Sequence, residues 1–188
     1  MELKIKAAHI SNSAWTRIGI ITLVTLTGAL WLYHKGPTPV IQGSHELPII
    51  VPFWYMISAF PVLGMLLADL FALWMKYRFD LRVIELGVQI ILLVLLSNLR
   101  LSIMIPISGH GLLFSYFILR RLLVRQPANK ILIFENIFGI LMFAMVAYMK
   151  LIKWNDPMTL LLGEAIGVVQ ALISFFILRH YKTTPQNQ

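Results

Sequence analysis

The residues best equipped for chemistry lie in one short string, Pro106-Ile107-Ser108-Gly109-His110, which puts a hydroxyl, a glycine and an imidazole at the start of an apolar run. Ionisable groups are costly in hydrocarbon unless a partner satisfies them, so a histidine at the mouth of a membrane span marks a candidate site. With Pro106 as the first helical residue, Ser108, Gly109 and His110 fall in the opening turn, where backbone amides lack intrahelical partners. Those amides, at the positive end of the helix dipole, suit an anion of phosphate size. Arg100, Lys150, Lys153 and Asn155 could hold the same anion, and His110 and Asp156 could act on it as nucleophile, base or acid. Each has a plainer reading. Ser108 and Gly109 suit close helix packing, and Asp156, preceding Pro157, reads equally as a helix N-cap.

The elements that must position these groups are membrane helices. Of the 188 residues, 59% are hydrophobic and 13% charged, against roughly 25% charged in a soluble domain. Windows of span length predict about six transmembrane helices, over 14–33, 47–75, 83–98, 106–124, 131–150 and 157–178, in one all-α integral membrane domain covering 1–188. Pro48, Pro52 and Pro61 give the long second run reason to bend. The connections are short and rich in proline, glycine and asparagine, as in Gly36-Pro37-Thr38-Pro39 and Gln126-Pro127-Ala128-Asn129. With no cysteine there is neither disulfide nor thiolate metal site, and no cleavable signal peptide is expected.

Lysine and arginine set the orientation. With the amino terminus inside, 12 of the 16 basic residues fall on the inner side, leaving Lys35, Arg100, Lys150 and Lys153 outside. Both termini are therefore expected to be cytoplasmic. The net charge of +8 reads as this bias plus attraction to anionic lipid, not as nucleic-acid binding. The outer face then collects His34, His45, Glu46, Arg100, Ser108, His110, Lys150, Lys153, Asn155 and Asp156, and its basic exceptions favour an anionic ligand. His34 or His45 could reach the site from the first outer loop. His34, His45, Glu46 and His110 lack diagnostic metal-ligand spacing, so no metal and no cofactor is expected. Asp69 and Glu85 are expected to pair with nearby Lys76, Arg78 or Arg82 at the inner boundary. Glu135 enters a span and needs a partner inside the bundle. An inner carboxylate set with an outer histidine set would also suit a proton-coupled transporter, although broken-helix repeats are lacking. Trp15, Trp31, Tyr33, Trp54, Trp74, Tyr77, Tyr148 and Trp154 form interfacial belts, and Gly163 and Gly167, four apart, suit close packing of the last helix.

These residues resemble the type 2 phosphatidic acid phosphatase and haloperoxidase superfamily. Its membrane members have six spans, an outward active site and the motifs Lys-x6-Arg-Pro, Pro-Ser-Gly-His and Ser-Arg-x5-His-x3-Asp. The second motif is similar to Pro106-Ile107-Ser108-Gly109-His110, with one added residue after the proline. The third falls on Tyr148 to Gly167, which places Met149 at its arginine, Asn155 at its nucleophilic histidine, Thr159 at its aspartate, and Gly163 and Gly167 at its trailing glycines. An amide cannot form the phosphohistidine, and no Lys-x6-Arg-Pro is present, although Arg100 stands near the place of its arginine. The resemblance implies hydrolysis of a lipid phosphate at the outer surface of the cell membrane, with the second-motif histidine protonating the leaving alcohol. The competing expectation is a non-enzymatic lipid-binding, transport or assembly subunit that retains the helix start.

Overall fold

The computed structural model describes residues 2–35, 57–103, 107–124, 130–153 and 157–183, with side chains for 14–34, 57–97, 107–124, 130–152 and 157–181. Every element among them is helical: α1 Glu2–Lys35, α2 Ala59–Tyr77, α3 Leu81–Ile103, α4 Gly109–Leu123, α5 Lys130–Tyr148, a π-helical turn Met149–Lys153, and α6 Pro157–Thr183. Four segments are long and apolar enough to cross a membrane, Ala14–His34, Ala59–Tyr77, Lys130–Ile152 and Pro157–Tyr181. The described residues are thus all-helical, and four of the helices suit a membrane. It divides into two compact units, Met1–Ala72 and Leu73–Gln188.

In the first unit, α1 and α2 run antiparallel, as three contacts along their length show. Arg17 meets Asp69, and Cβ atoms built on Gly64 and Gly28 would strike the Ile21 backbone and the Phe60 ring. Glycine at 64 lets the backbones approach: a methyl there would sit 2.9 Å from Ile21 Cα. Arg17 Nη2 donates to Asp69 Oδ1 at 2.8 Å, with side chains only 8% and 4% exposed. Trp15, Leu23, Leu26, Leu30 and Tyr33 are exposed on α1, as suits a lipid-facing surface. α2 begins after Ser58, so Pro61 stands in its first turn, where a missing amide hydrogen costs nothing. Residues 47–56 of the anticipated second span lie outside the described set.

The second unit is built around α4. α3 runs antiparallel to it, since Ser97 abuts Gly109 at one end and Glu85 pairs with Arg120 at the other. α5 is also antiparallel: Phe114 faces Phe143, Phe117 faces Gly139, and Arg121 pairs with Glu135. α6 runs parallel to α4, with Gly163 against Ser108, Gly111 against Leu160, and Gly167 against Ser115 and Tyr116. Enclosed by three neighbours, α4 buries Leu112, Phe114, Tyr116, Phe117 and Arg120 almost completely. A helix of 15 residues with two arginines in its last turn survives there because each arginine meets a carboxylate, Glu85 at 3.1 Å and Glu135 at 2.7 Å.

These registers bring the start of α3, the end of α4, the start of α5 and the end of α6 to one end of the unit. That end carries Arg78, Arg82, Arg120, Arg121, Lys130 and Arg179, while Lys150 lies at the other. The turn into α3 is held by Asp80, whose Oδ1 accepts from Arg82 N at 2.8 Å and from Arg82 Nε at 3.1 Å. Arg78 closes α2 in the left-handed region at φ 51°, its amide bonded to Trp74 O at 2.8 Å. Two expectations about charge need correction. Asp69 takes Arg17 as its cation, because Lys76 stands two turns along α2 and i,i+3 or i,i+4 spacing is needed to meet on a helix. Glu85 takes Arg120, while Arg82 turns back to Asp80 and stacks 4.1 Å over the Tyr77 ring. Glu135 does find the partner inside the bundle that its position demands.

Candidate functional site

The Ser-Gly-His string starts α4 three residues later than Pro106 as first helical residue would place it. Ser108 is the N-cap, with φ −78° and ψ 111°, and Gly109 is the first helical residue. Serine favours this place because its oxygen can accept from an unpartnered amide of the first turn: Gly111 N donates to Ser108 Oγ at 3.2 Å. The Ser108 carbonyl accepts from Leu112 N at 2.9 Å, and the Ser108 amide donates to Thr159 O at 2.8 Å. Ser108 is thereby fully buried at 0% exposure, and His110 is buried beside it.

Glycines make this approach possible. A methyl on Gly111 would lie 2.9 Å from Leu160 O and 3.4 Å from Glu164 N; one on Gly163 would meet the Ser108 carbonyl oxygen. Ser115 continues the seam one turn on, its hydroxyl within 2.6 Å of Gly111 O and 3.2 Å of Glu164 O. Small residues on both helices bring the α4 and α6 backbones into contact, the arrangement typical of tight helix pairs in membranes.

Lys150 reaches the same place from the π-helical turn. Its Nζ donates to Thr159 Oγ1 at 3.2 Å, and the residue is only 8% exposed. The extra residue per turn in a π-helix rotates the side chains that follow it, and such turns recur at functional sites. Thr159 therefore joins two of the anticipated site residues, offering its carbonyl to Ser108 and its hydroxyl to Lys150. Through Thr159, Lys150 lies close to the amino-terminal end of α4.

Of the other anticipated residues, Gly109 packs against Ser97, with a built Cβ 3.2 Å from Ser97 Oγ. Arg100 lies in the last turn of α3 and Lys153 closes the π-helical turn; their side chains, and Asn155 and Asp156 entirely, lie outside the described residues. His34 belongs to the first unit, its ring 6.0 Å from that of Tyr33, and His45 and Glu46 also lie outside the described set. Among the described residues no cluster of three or more His, Cys, Asp or Glu side chains could hold a metal ion.

A second polar group lies deeper in the same unit and went unnoticed in the sequence. It comprises three pairs at i,i+4 spacing: Glu85 and Gln89 on α3, Tyr116 and Arg120 on α4, Gln170 and Ser174 on α6. Arg120 Nη2 donates to Glu85 Oε2 at 3.1 Å, and the hydroxyls of Tyr116 and Ser174 lie 3.4 Å apart. All six side chains are buried. The detectable signal was the spacing, since residues four apart share a helix face. No protein-family model, no curated protein and no solved structure matches this chain.

Proposed function

We propose that this chain is a cell-membrane protein of six spans with both termini cytoplasmic, and that the end of its bundle holding Ser108, Thr159 and Lys150 faces outwards and recognises the phosphate of a membrane lipid. The observation that carries the reading is the meeting of Lys150 and Ser108 on Thr159. A cation held out of water beside a helix amino terminus favours an anion in its surroundings. The concentration of arginine at the opposite end of the second unit supports the orientation. A lipid is the fitting source of phosphate because it approaches through the bilayer from the side.

Within this reading the resemblance to the lipid-phosphate phosphatases assigns proton transfer to His110, with Asp156, Arg100, Lys153 and Asn155 as further groups about the phosphate. A specific observation favours binding without hydrolysis. The Ser108 hydroxyl and amide are already engaged in capping and in the bond to Thr159, and α6 covers the helix start. With Asn155 at the expected nucleophile place, the protein serves best as a lipid-phosphate-binding, transport or assembly subunit.

The deciding experiment measures phosphate release from a panel of lipid phosphates by the purified protein in detergent, wild type against His110→Ala, alongside flotation with vesicles containing phosphatidic acid. Binding without release, weakened by Lys150→Met, is the expected result. Release abolished by His110→Ala would establish the hydrolase instead. The absence of both release and preferential binding would refute lipid-phosphate recognition.

A further inference from the structure

The buried polar group on α3, α4 and α6 is only partly satisfied by its own members. Glu85 Oε1, Gln89 Oε1, Gln170 Oε1 and Arg120 Nε are buried and have no hydrogen-bond partner among the described residues. Their residues are 5%, 5%, 7% and 1% exposed. Three of these atoms are acceptors and one is a donor.

Helix registers place the group at one level. On α3, Ser97 lies by Gly109 and Glu85 by Arg120, so Gln89 stands level with Tyr116. On α6, Gly111 lies by Leu160 and Gly167 by Ser115, so Gln170 falls between the levels of Tyr116 and Arg120. Gln170 and Ser174 also belong to the buried stripe Leu160, Gly163, Gly167, Gln170, Ala171, Ser174, Leu178, which includes the contacts to α4. The group therefore occupies roughly two helical turns, about 9 Å at 1.5 Å per residue. Tyr116 lies in the field of both Arg120 and Glu85.

We infer that these three helices enclose a binding site for small uncharged hydroxylic molecules, water or a short polyol, whose O–H groups donate to Glu85, Gln89 and Gln170 and whose oxygen accepts from Arg120. The charge balance selects a neutral occupant, because the Glu85 carboxylate and the Arg120 guanidinium already offset one another at 3.1 Å. The three unpartnered acceptors favour one that can donate. Polar side chains inside a membrane bundle commonly line water-filled or solute-binding cavities, and unpaired ones are otherwise disfavoured. This site is separate from the lipid-phosphate surface and does not depend on it.

The chain has no cysteine, so single thiols can be introduced without background. The experiment places cysteine at Gln89, Gln170 or Ser174, with Val169→Cys and Ile173→Cys as exposed apolar controls on α6 and Phe79→Cys, 88% exposed, as the reference rate. A small charged methanethiosulfonate is the probe. The thiolate attacks its sulfenyl sulfur, forms the mixed disulfide and expels sulfinate, and the ionisation requires water at the site. Gln89→Cys and Gln170→Cys are expected to react at least about tenfold faster than the two controls, with Ser174→Cys as the near-isosteric check if either glutamine variant fails to fold. Glycerol that slows these thiols relative to Phe79→Cys identifies a polyol as occupant, and an unchanged ratio identifies water. Rates no faster than those of Val169→Cys and Ile173→Cys in folded protein would overturn the inference.

Discussion

Gly163→Ala tests the claim that the Ser108 helix start is held by backbone contact between α4 and α6. The added methyl would sit 3.1 Å from Leu112 N and from Ser108 C, and would fall onto the Ser108 carbonyl oxygen. Ordinary contact begins at 3.4 Å, and none of these atoms can rotate aside because all belong to backbone. The helices must therefore part along the seam, straining the Ser108 amide bond to Thr159. Overpacking of this kind costs about 1–3 kcal/mol, which lowers the folded-to-unfolded ratio by roughly 5- to 160-fold. The upper part of that range is expected here, since no side chain can yield. Gly19→Ala is the matched control: its Cβ would meet nothing within 4 Å, and alanine is the better helix former. The assay is reversible unfolding in mixed micelles by titration with a denaturing detergent, followed by circular dichroism. Gly163→Ala within roughly 0.5 kcal/mol of wild type, the range of an inconsequential surface change, would refute the close seam and with it the account of why Ser108 and Gly111 stand where they do.

Removing one partner of a buried ion pair leaves a stranded charge, so Arg17→Met should lower stability in the same assay by about 3–5 kcal/mol. The double variant Arg17→Met/Asp69→Leu should recover much of that loss, and additive losses would refute a direct pair. Arg121→Met should behave likewise through Glu135 and Asn136, both of which the guanidinium engages, at 2.7 Å and 2.9 Å; a destabilisation under roughly 1 kcal/mol would place that pair with exposed ones. Reporter fusions at the two ends of the chain should both report the cytoplasm, and a split result would overturn the proposed orientation.

Period and composition made the helices legible. Predicted spans at 131–150 and 157–178 differ from α5 and α6 by a few residues at most, because Lys130 and Pro157 bound them as charge and proline should. Pro106 as first helical residue places the α4 start too early, and the capping hydroxyl of Ser108 sets the boundary. Ion-pair partners were not legible. Arg17 and Asp69 are far apart in the chain, and pairing them requires knowing that α1 and α2 run antiparallel in that register. Proximity in sequence pointed instead to Lys76 and Arg82, which face elsewhere. The second polar group escaped for the same reason. Each i,i+4 pair looks like one polar spot on an apolar helix, and only the levels set by α4 show that three spots are one.

The two polar regions of the second unit call for different physical readings although both interrupt apolar helices. At the α4 start the small polar residues are satisfied by backbone: Ser108 caps its own helix and donates its amide to the Thr159 carbonyl, and Ser115 spans to the Glu164 carbonyl. Groups spent this way hold helices together and have little left to offer a ligand, so any chemistry at that end falls to Lys150, His110 and the residues about them. At the level of Tyr116 and Arg120 the polar atoms are side chains, larger than close packing requires, and three acceptors and one donor have no partner among the described residues. Packing alone would be served better there by leucine, since replacing buried polar groups with apolar ones of similar volume is commonly neutral or stabilising. Retaining Glu85, Gln89, Arg120 and Gln170 at one level of a membrane bundle is therefore the costlier arrangement of the two, and the one for which a ligand supplies the better physical reason.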